Sequence, residues 1–204
     1  MPIRSNEPFA SILETMRKSA AALQRAEVPF LLGGGLACWA RGGPPTDHDV
    51  DFLVRPEHAE QGLEALERAG LETERPPEHW LLKAYDEGIL VDLIFEPSGL
   101  RVDDGMFERA EALEVHAVRM MVASLDDVVT TKLMALSEQN LDYRSILDIA
   151  RTLREQIDWQ RVRGRTGASP YAQAFFTLVE ELGIVERYPS RTASVSRIRG
   201  SRNP

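Results

Sequence analysis

Three consecutive glycines, Gly33-Gly34-Gly35, followed by the pair Asp49 and Asp51, constrain this chain more than any other stretch. Leu31 and Leu32 end a short apolar run with the character of a strand. Glycine carries no Cβ, so the backbone can turn there at positive φ and approach a ligand closely. Leu36 to Trp39 then starts a helix, whose free N–H groups would suit a phosphate. A second strand is expected from Asp49 to Val54. Strand alternation puts Asp49, Asp51 and Leu53 on one face, and His48, Val50 and Phe52 on the other. Two adjacent carboxylates repel and raise each other's pKa unless a cation neutralises them. Hard oxygen donors at this spacing suit Mg²⁺, which uses one or two carboxylates and leaves positions for phosphate oxygens.

A third acid interrupts a later strand. Ile89 to Phe95 is a nearly continuous apolar run, the pattern of a strand buried on both faces, and Asp92 sits within it. An ionised carboxylate there is costly unless paired or metal-bound, so Asp92 is either a core acid bonded to backbone or arginine, or part of the same site.

Composition narrows the class. With 204 residues, 43% of them hydrophobic, the chain makes one globular domain or a domain with a small appendage. Its single cysteine, Cys38, excludes a disulfide framework and falls in an apolar helix, where a buried core thiol is expected. No apolar run approaches the ~18 residues of a membrane helix, and a cytoplasmic protein is expected. The net charge is −8, and all 32 acids precede Arg187, whereas five arginines lie from Arg187 on. A body this acidic is no generic nucleic-acid binder. Residues 187–204, rich in Arg, Ser, Gly and Pro, are expected to form a disordered basic tail.

The remaining elements follow from periodicity. Phe9, Ile12, Leu13, Met16, Ala20 and Leu23 mark an amphipathic first helix over residues 8–25. Pro56 opens a helix with Leu63 and Leu66 inside and Gly70 at its end. Trp80-Leu81-Leu82 pairs with Ile89 to Phe95 as a hairpin across Asp86-Glu87-Gly88, and Leu113 to Val122 gives one or two strands. Ser124 has capping-box spacing before Leu125, Val128, Val129, Leu133 and Leu136, a buried stripe that also contains Lys132. Tyr143, Ile146, Leu147, Ala150 and Ile157 mark a further helix with Arg144 and Asp148 at i, i+4. Ser169-Pro170 starts a last helix with Ala174, Phe175, Leu178, Val179 and Leu182 as its core and Gly183 as its stop. Arg151, Arg154, Arg161, Arg163 and Arg165 form the one ordered stretch with a local positive excess, which is either an RNA-facing patch or a solvated face.

Paired glycines, a helix turn, Asp-x-Asp on a strand and a later lone Asp resemble the nucleotidyltransferase superfamily related to DNA polymerase β. The resemblance implies an α+β fold: a polymerase-β-like core with a small mixed sheet and helices at residues 1–123, and a helical C-terminal region at 124–186. It implies that Asp49, Asp51 and Asp92 hold two Mg²⁺ ions, that Gly34 and Gly35 hold phosphate, and that Lys132 meets the phosphates of an NTP. Within that superfamily the chain looks like stand-alone bacterial toxins of the AbiEii and mycobacterial type, on the strength of Lys132 and the Arg144/Asp148 helix. Ser145 departs from the toxin motif, where another Asp is common. That branch implies transfer of an NMP to the 3′ end of tRNA, with an antitoxin protein as partner. Two other readings stay open: an aminoglycoside-type antibiotic nucleotidyltransferase, suited to an acidic body, and a non-catalytic nucleotide-binding relic of the fold.

Overall fold

The computed structural model describes residues 7–46 and 49–187. The expected facing of His48 and the expected disorder of the tail beyond Arg187 lie outside the described residues. Helix α1 (Glu7–Arg25) buries Phe9, Ile12, Leu13, Met16, Ala20 and Leu23, the whole of the expected stripe. Strand β1 (Phe30–Leu32) follows, then the short helix α2 (Gly34–Trp39), β2 (Asp49–Val54) and α3 (Ala59–Arg68). Strands β3 (Glu72–Glu74), β4 (Leu81–Asp86) and β5 (Ile89–Ile94) come next, followed by α4 (Asp104–Arg109), β6 (Glu111–Val115) and β7 (Val118–Val122). From residue 125 on, the described residues hold helices only: α5 (Leu125–Met134), α6 (Arg144–Leu153), α7 (Trp159–Thr166) and α8 (Pro170–Glu181).

The strands form one mixed sheet of seven, in the order β3-β4-β5-β2-β1-β7-β6. β2 runs parallel to β5 and β1 parallel to β7, and the other neighbours are antiparallel. One face is dry. Val50, Phe52, Val91 and Leu93 are buried there beneath α1 and α3, and Gly62 lets α3 come down onto Leu93 and Leu23. Phe30 and Phe52 meet edge to face with centroids 5.1 Å apart, a pairing worth ~0.5–1.5 kcal/mol beyond its buried area. The opposite face carries Asp49, Asp51 and Asp92 and is only partly roofed. For that reason β5 is not fully buried on both sides as its apolar run suggested: Leu90 and Ile94, on the face of Asp92, are half-buried.

The structure departs from expectation at three places, two of them in the helical half. The helix expected to run on to Ile157 stops at Leu153, and α7 begins anew because the Asp158 side chain accepts a hydrogen bond from Arg161 N–H. In α8 the buried arc is Ala172, Phe175, Phe176 and Val179, whereas Ala174 and Leu182 are exposed. Helix α4 and strand β3 were not anticipated; the Asp103 carboxylate caps α4 by accepting from Met106 N–H. The cap at Ser124 formed as expected, its hydroxyl accepting from Asp127 N–H.

Candidate active site

The sheet register builds the site. Asp51 on β2 is paired with Asp92 on β5, Asp92 with Lys83 on β4, and Lys83 with Glu74 on β3. Residues paired across strands share a face, so these four side chains form one row, with Asp49 one step along β2. One carboxylate oxygen from each of Asp49, Asp51 and Asp92 lies within 4.8 Å of the others. Acids from two strands far apart in sequence are thus brought together.

Their electrostatics follow from what surrounds them. The Asp51 carboxyl is pushed up to about 7, first by desolvation and then by the Asp49 carboxylate, while Lys132, and more weakly Lys83, pull the other way. Asp92, 7% exposed, is likewise raised by burial, and Lys83 Nζ, 3.2 Å away, holds it down. Asp92 therefore belongs to the acid cluster, as one of its two readings had it, and is also ion-paired, with a lysine rather than the arginine or backbone partner of the other reading. Three hard oxygen donors in this state of incomplete neutralisation fit a divalent cation such as Mg²⁺.

The glycines are placed against those acids. Gly33 N–H donates to the Asp51 carbonyl at 2.8 Å, which carries the β1–β2 pairing one residue further. Gly34 has φ +53, and a Cβ there would lie 1.6 Å from Asp51 Oδ2. A Cβ on Gly35 would lie 2.7 Å from the Thr46 side chain. Glycine is thus required here by the carboxylate and by Thr46, independently of any ligand. Lys132, half-buried on α5, lines one cavity with Gly34 and Asp51, and makes no ion pair among the described residues. Cys38 is buried and its thiol is pushed up to about 11 by desolvation, so it is a core thiol.

Other expectations do not converge on this place. Asp148 pairs with Arg151 at 3.6 Å, not with Arg144, whose N–H donates to Asp142. Three of the five arginines of residues 151–165 face acids from other elements: Arg161 meets Asp126, Arg165 meets Asp127 and Arg163 meets Glu180. Arg151 and Arg154 pair with Asp148 and Glu155 at the surface, so each of the five has an acid partner. Lys83 is the site residue that sequence reasoning missed. Its signal was the hairpin register, which depends on turn length.

A family profile described as uncharacterised nucleotidyltransferase matches residues 11–180. The chain belongs to that family. This nucleotidyltransferase matches no curated protein sequence. Among solved structures it is similar in fold to the antibiotic-resistance factor ANT(2'')-Ia in solution, with TM-score 0.61 and 14% identity, over 85% of this chain and 97% of that one. It is similar also to ANT(2'')-Ia crystallised in complex with adenylyl-2''-tobramycin, with TM-score 0.58 and 15% identity, over 80% and 98% of the two chains. The mixed sheet flanked by helices is therefore the nucleotidyltransferase fold, and the expected superfamily is correct.

Proposed function

We propose that the protein transfers an NMP from an NTP to a hydroxyl of a small, positively charged acceptor, using divalent metal. The observation that carries this reading is the convergence of Asp49, Asp51 and Asp92, with oxygens within 4.8 Å, beside Gly34 and Lys132. Two Mg²⁺ ions held by these acids would supply charge neutralisation of the triphosphate and a more acidic attacking hydroxyl. The acceptor oxygen forms a bond to the α-phosphorus, the bond to the bridging oxygen breaks, and pyrophosphate leaves. Asp92 faces the incoming hydroxyl and takes its proton. Lys83 keeps that carboxylate in place from the next strand. Lys132 neutralises phosphate from α5, and the backbone at Gly34 and Gly35 gives the phosphates close approach. Most of the acceleration in such chemistry is positioning and electrostatics, so little else is required of the protein.

The acceptor reading rests on charge. Lys83, Glu74, Tyr85 and Glu72 continue the site face toward the open β3 edge, and Tyr85 donates to Glu74 at 2.8 Å. That margin suits amines. The arginines that would have favoured tRNA each pair with an acid, which weakens the charge argument for a 3′-tRNA acceptor. The aminoglycoside class named with the similar fold is the one we carry to this chain as a first acceptor. The test is incubation with Mg²⁺ and each labelled NTP, offering tobramycin in one arm and total tRNA in another. Labelled aminoglycoside with pyrophosphate release supports the proposal. Label on tRNA alone overturns the acceptor, and no transfer to either overturns the activity.

A further inference from the structure

The site face has unlike flanks. On the side of Asp49, the row across the sheet is Asp49, Leu90, Tyr85 and Glu72, with Leu90 its one apolar aliphatic member. On the other side, Leu53, Ile94 and Leu81 form the row after Asp51, Asp92 and Lys83, and this row is apolar. Over it lies a cavity that begins at Gly34, Asp51 and Lys132 and continues past Val128, Pro97 and Trp80. Trp80, Ser98 and Ala135 line both this cavity and a larger one of about 570 Å³ beyond it, so the two adjoin. The walls are fixed. The Trp80 carbonyl accepts from both Phe95 N–H, at 3.0 Å, and Glu96 N–H, at 3.2 Å. Ser98 is held at φ 52, and its hydroxyl donates to the Thr131 carbonyl at 3.3 Å. Yet the Trp80 side chain, at 40% exposure, is among the few large apolar groups the described residues leave open to water.

An exposed indole on a hydrogen-bonded stretch of backbone, beside a phosphate-neutralising lysine, calls for a flat, apolar partner attached to an anion. The geometry points to Trp80 as the stacking platform for the nucleobase of the NTP, with the triphosphate at Lys132 and the acids and the ribose spanning the gap. This assignment rests on the nucleotidyl-transfer reading and goes beyond it by fixing where the nucleoside lies. The base enters over the apolar row, which leaves the polar β3 side for the acceptor. The nucleoside then stays clear of the acceptor side, so the hydroxyl can approach the α-phosphorus opposite the leaving pyrophosphate, as an in-line displacement requires. Stacking recognises a π-face more than an edge, so all four NTPs are expected to use the platform.

The test compares Mg²⁺ complexes of the four NTPs with Mg²⁺-tripolyphosphate, which has the charge and no base. Dissociation constants are measured by calorimetry on the full-length chain, for wild type, Trp80→Ala and Trp80→Phe. The expected result is that wild type binds NTPs more tightly than tripolyphosphate, and that Trp80→Ala weakens NTPs by about tenfold, the scale of one base–aromatic stack. Tripolyphosphate binding stays unchanged in Trp80→Ala, and Trp80→Phe restores most of the NTP affinity. Equal loss for tripolyphosphate, or no loss for any NTP, overturns the platform while leaving nucleotidyl transfer intact. If neither NTP nor tripolyphosphate binds the wild-type chain, the transfer reading falls, and the platform falls with it. Matching thermal melts of the three proteins exclude misfolding as the cause.

Discussion

Asp51 and Asp127 are both acids surrounded by protein, and their charges are met in opposite ways. Asp127 on α5 is 0% exposed, and burial alone would raise its pKa. Its carboxyl nonetheless sits below the ordinary range. Arg109 donates from Nε and Nη2 at 3.0 and 2.9 Å, Ser124 Oγ donates at 2.7 Å, and Arg165 at 2.6 Å. Neighbouring Asp126 accepts from Asp158 N–H and from Arg161. Around Asp51 the balance is reversed. Desolvation and two further acids raise it to about 7, against Lys132 and Lys83. One cluster is neutralised by the fold and ties α4, α5 and α7 together. The other is left short of positive charge, and that deficit, rather than burial, marks a place where a cation belongs.

The comparison can be broken by experiment. The largest effect is expected from Asp51→Asn, which should reduce NMP transfer, followed as pyrophosphate release, by more than about a thousandfold. The same change relieves repulsion, so its urea midpoint in EDTA should equal or exceed that of wild type. Substantial remaining transfer would remove Asp51 from the site. Asp127→Ala should do the opposite, leaving two arginines without their acid and lowering unfolding free energy by about 3 kcal/mol, with or without Mg²⁺. If Asp51→Asn destabilises and Asp127→Ala does not, the two clusters have been read the wrong way round.

A smaller effect concerns pH. Between 3.8 and about 7 the folded chain holds a proton on Asp51 that the unfolded chain has released. Stability in EDTA contributed by this group is therefore full below that window and is lost as pH rises through it. Asp127 has the opposite sign, its contribution being present at neutral pH and lost on acidification below the ordinary carboxylate range. Melting temperatures in EDTA should thus fall by a few degrees from pH 5 to pH 8 in wild type, at ~2–4 °C per kcal/mol for this size, and less in Asp51→Asn. An identical fall in both proteins would assign it elsewhere. The smallest change is expected from Arg161→Ala, a half-exposed partner of Asp126, at no more than ~1 kcal/mol in urea unfolding. A steep, salt-dependent loss of tRNA binding in that variant would instead restore an RNA-facing surface.

How far the sequence could be read depended on the range of the interactions involved. Strand alternation is local, so the shared face of Asp49 and Asp51 was legible, as was the helix start at Ser124. The position of Lys83 was not. A three-residue turn at Asp86-Glu87-Gly88 would set Lys83 opposite Val91, on the dry face. The structure uses two residues, Glu87 at φ 50 and Gly88 at φ 86, so Asp86 joins the strand and Lys83 meets Asp92. This is the primed turn geometry that matches strand twist, and a glutamate at its first position is a weak signal for it. The arginines of α7 were misjudged for a different reason. Their partners, Asp126, Asp127 and Glu180, come from α5 and α8, and only packing brings those acids near.

Hairpin tips on a protein surface ordinarily absorb insertions and deletions without harm. The tip at Glu87 and Gly88 is exposed, yet its length fixes which side of the sheet each residue of β4 occupies. A single residue gained or lost there, if taken up by the strand, would carry Lys83 to the face where Ala84 now packs fully buried beneath α3. Asp92 would lose its cation and the core would gain a charge. This loop is therefore free to vary in residue type but not in length, and the constraint originates at an acid three residue pairs up the ladder.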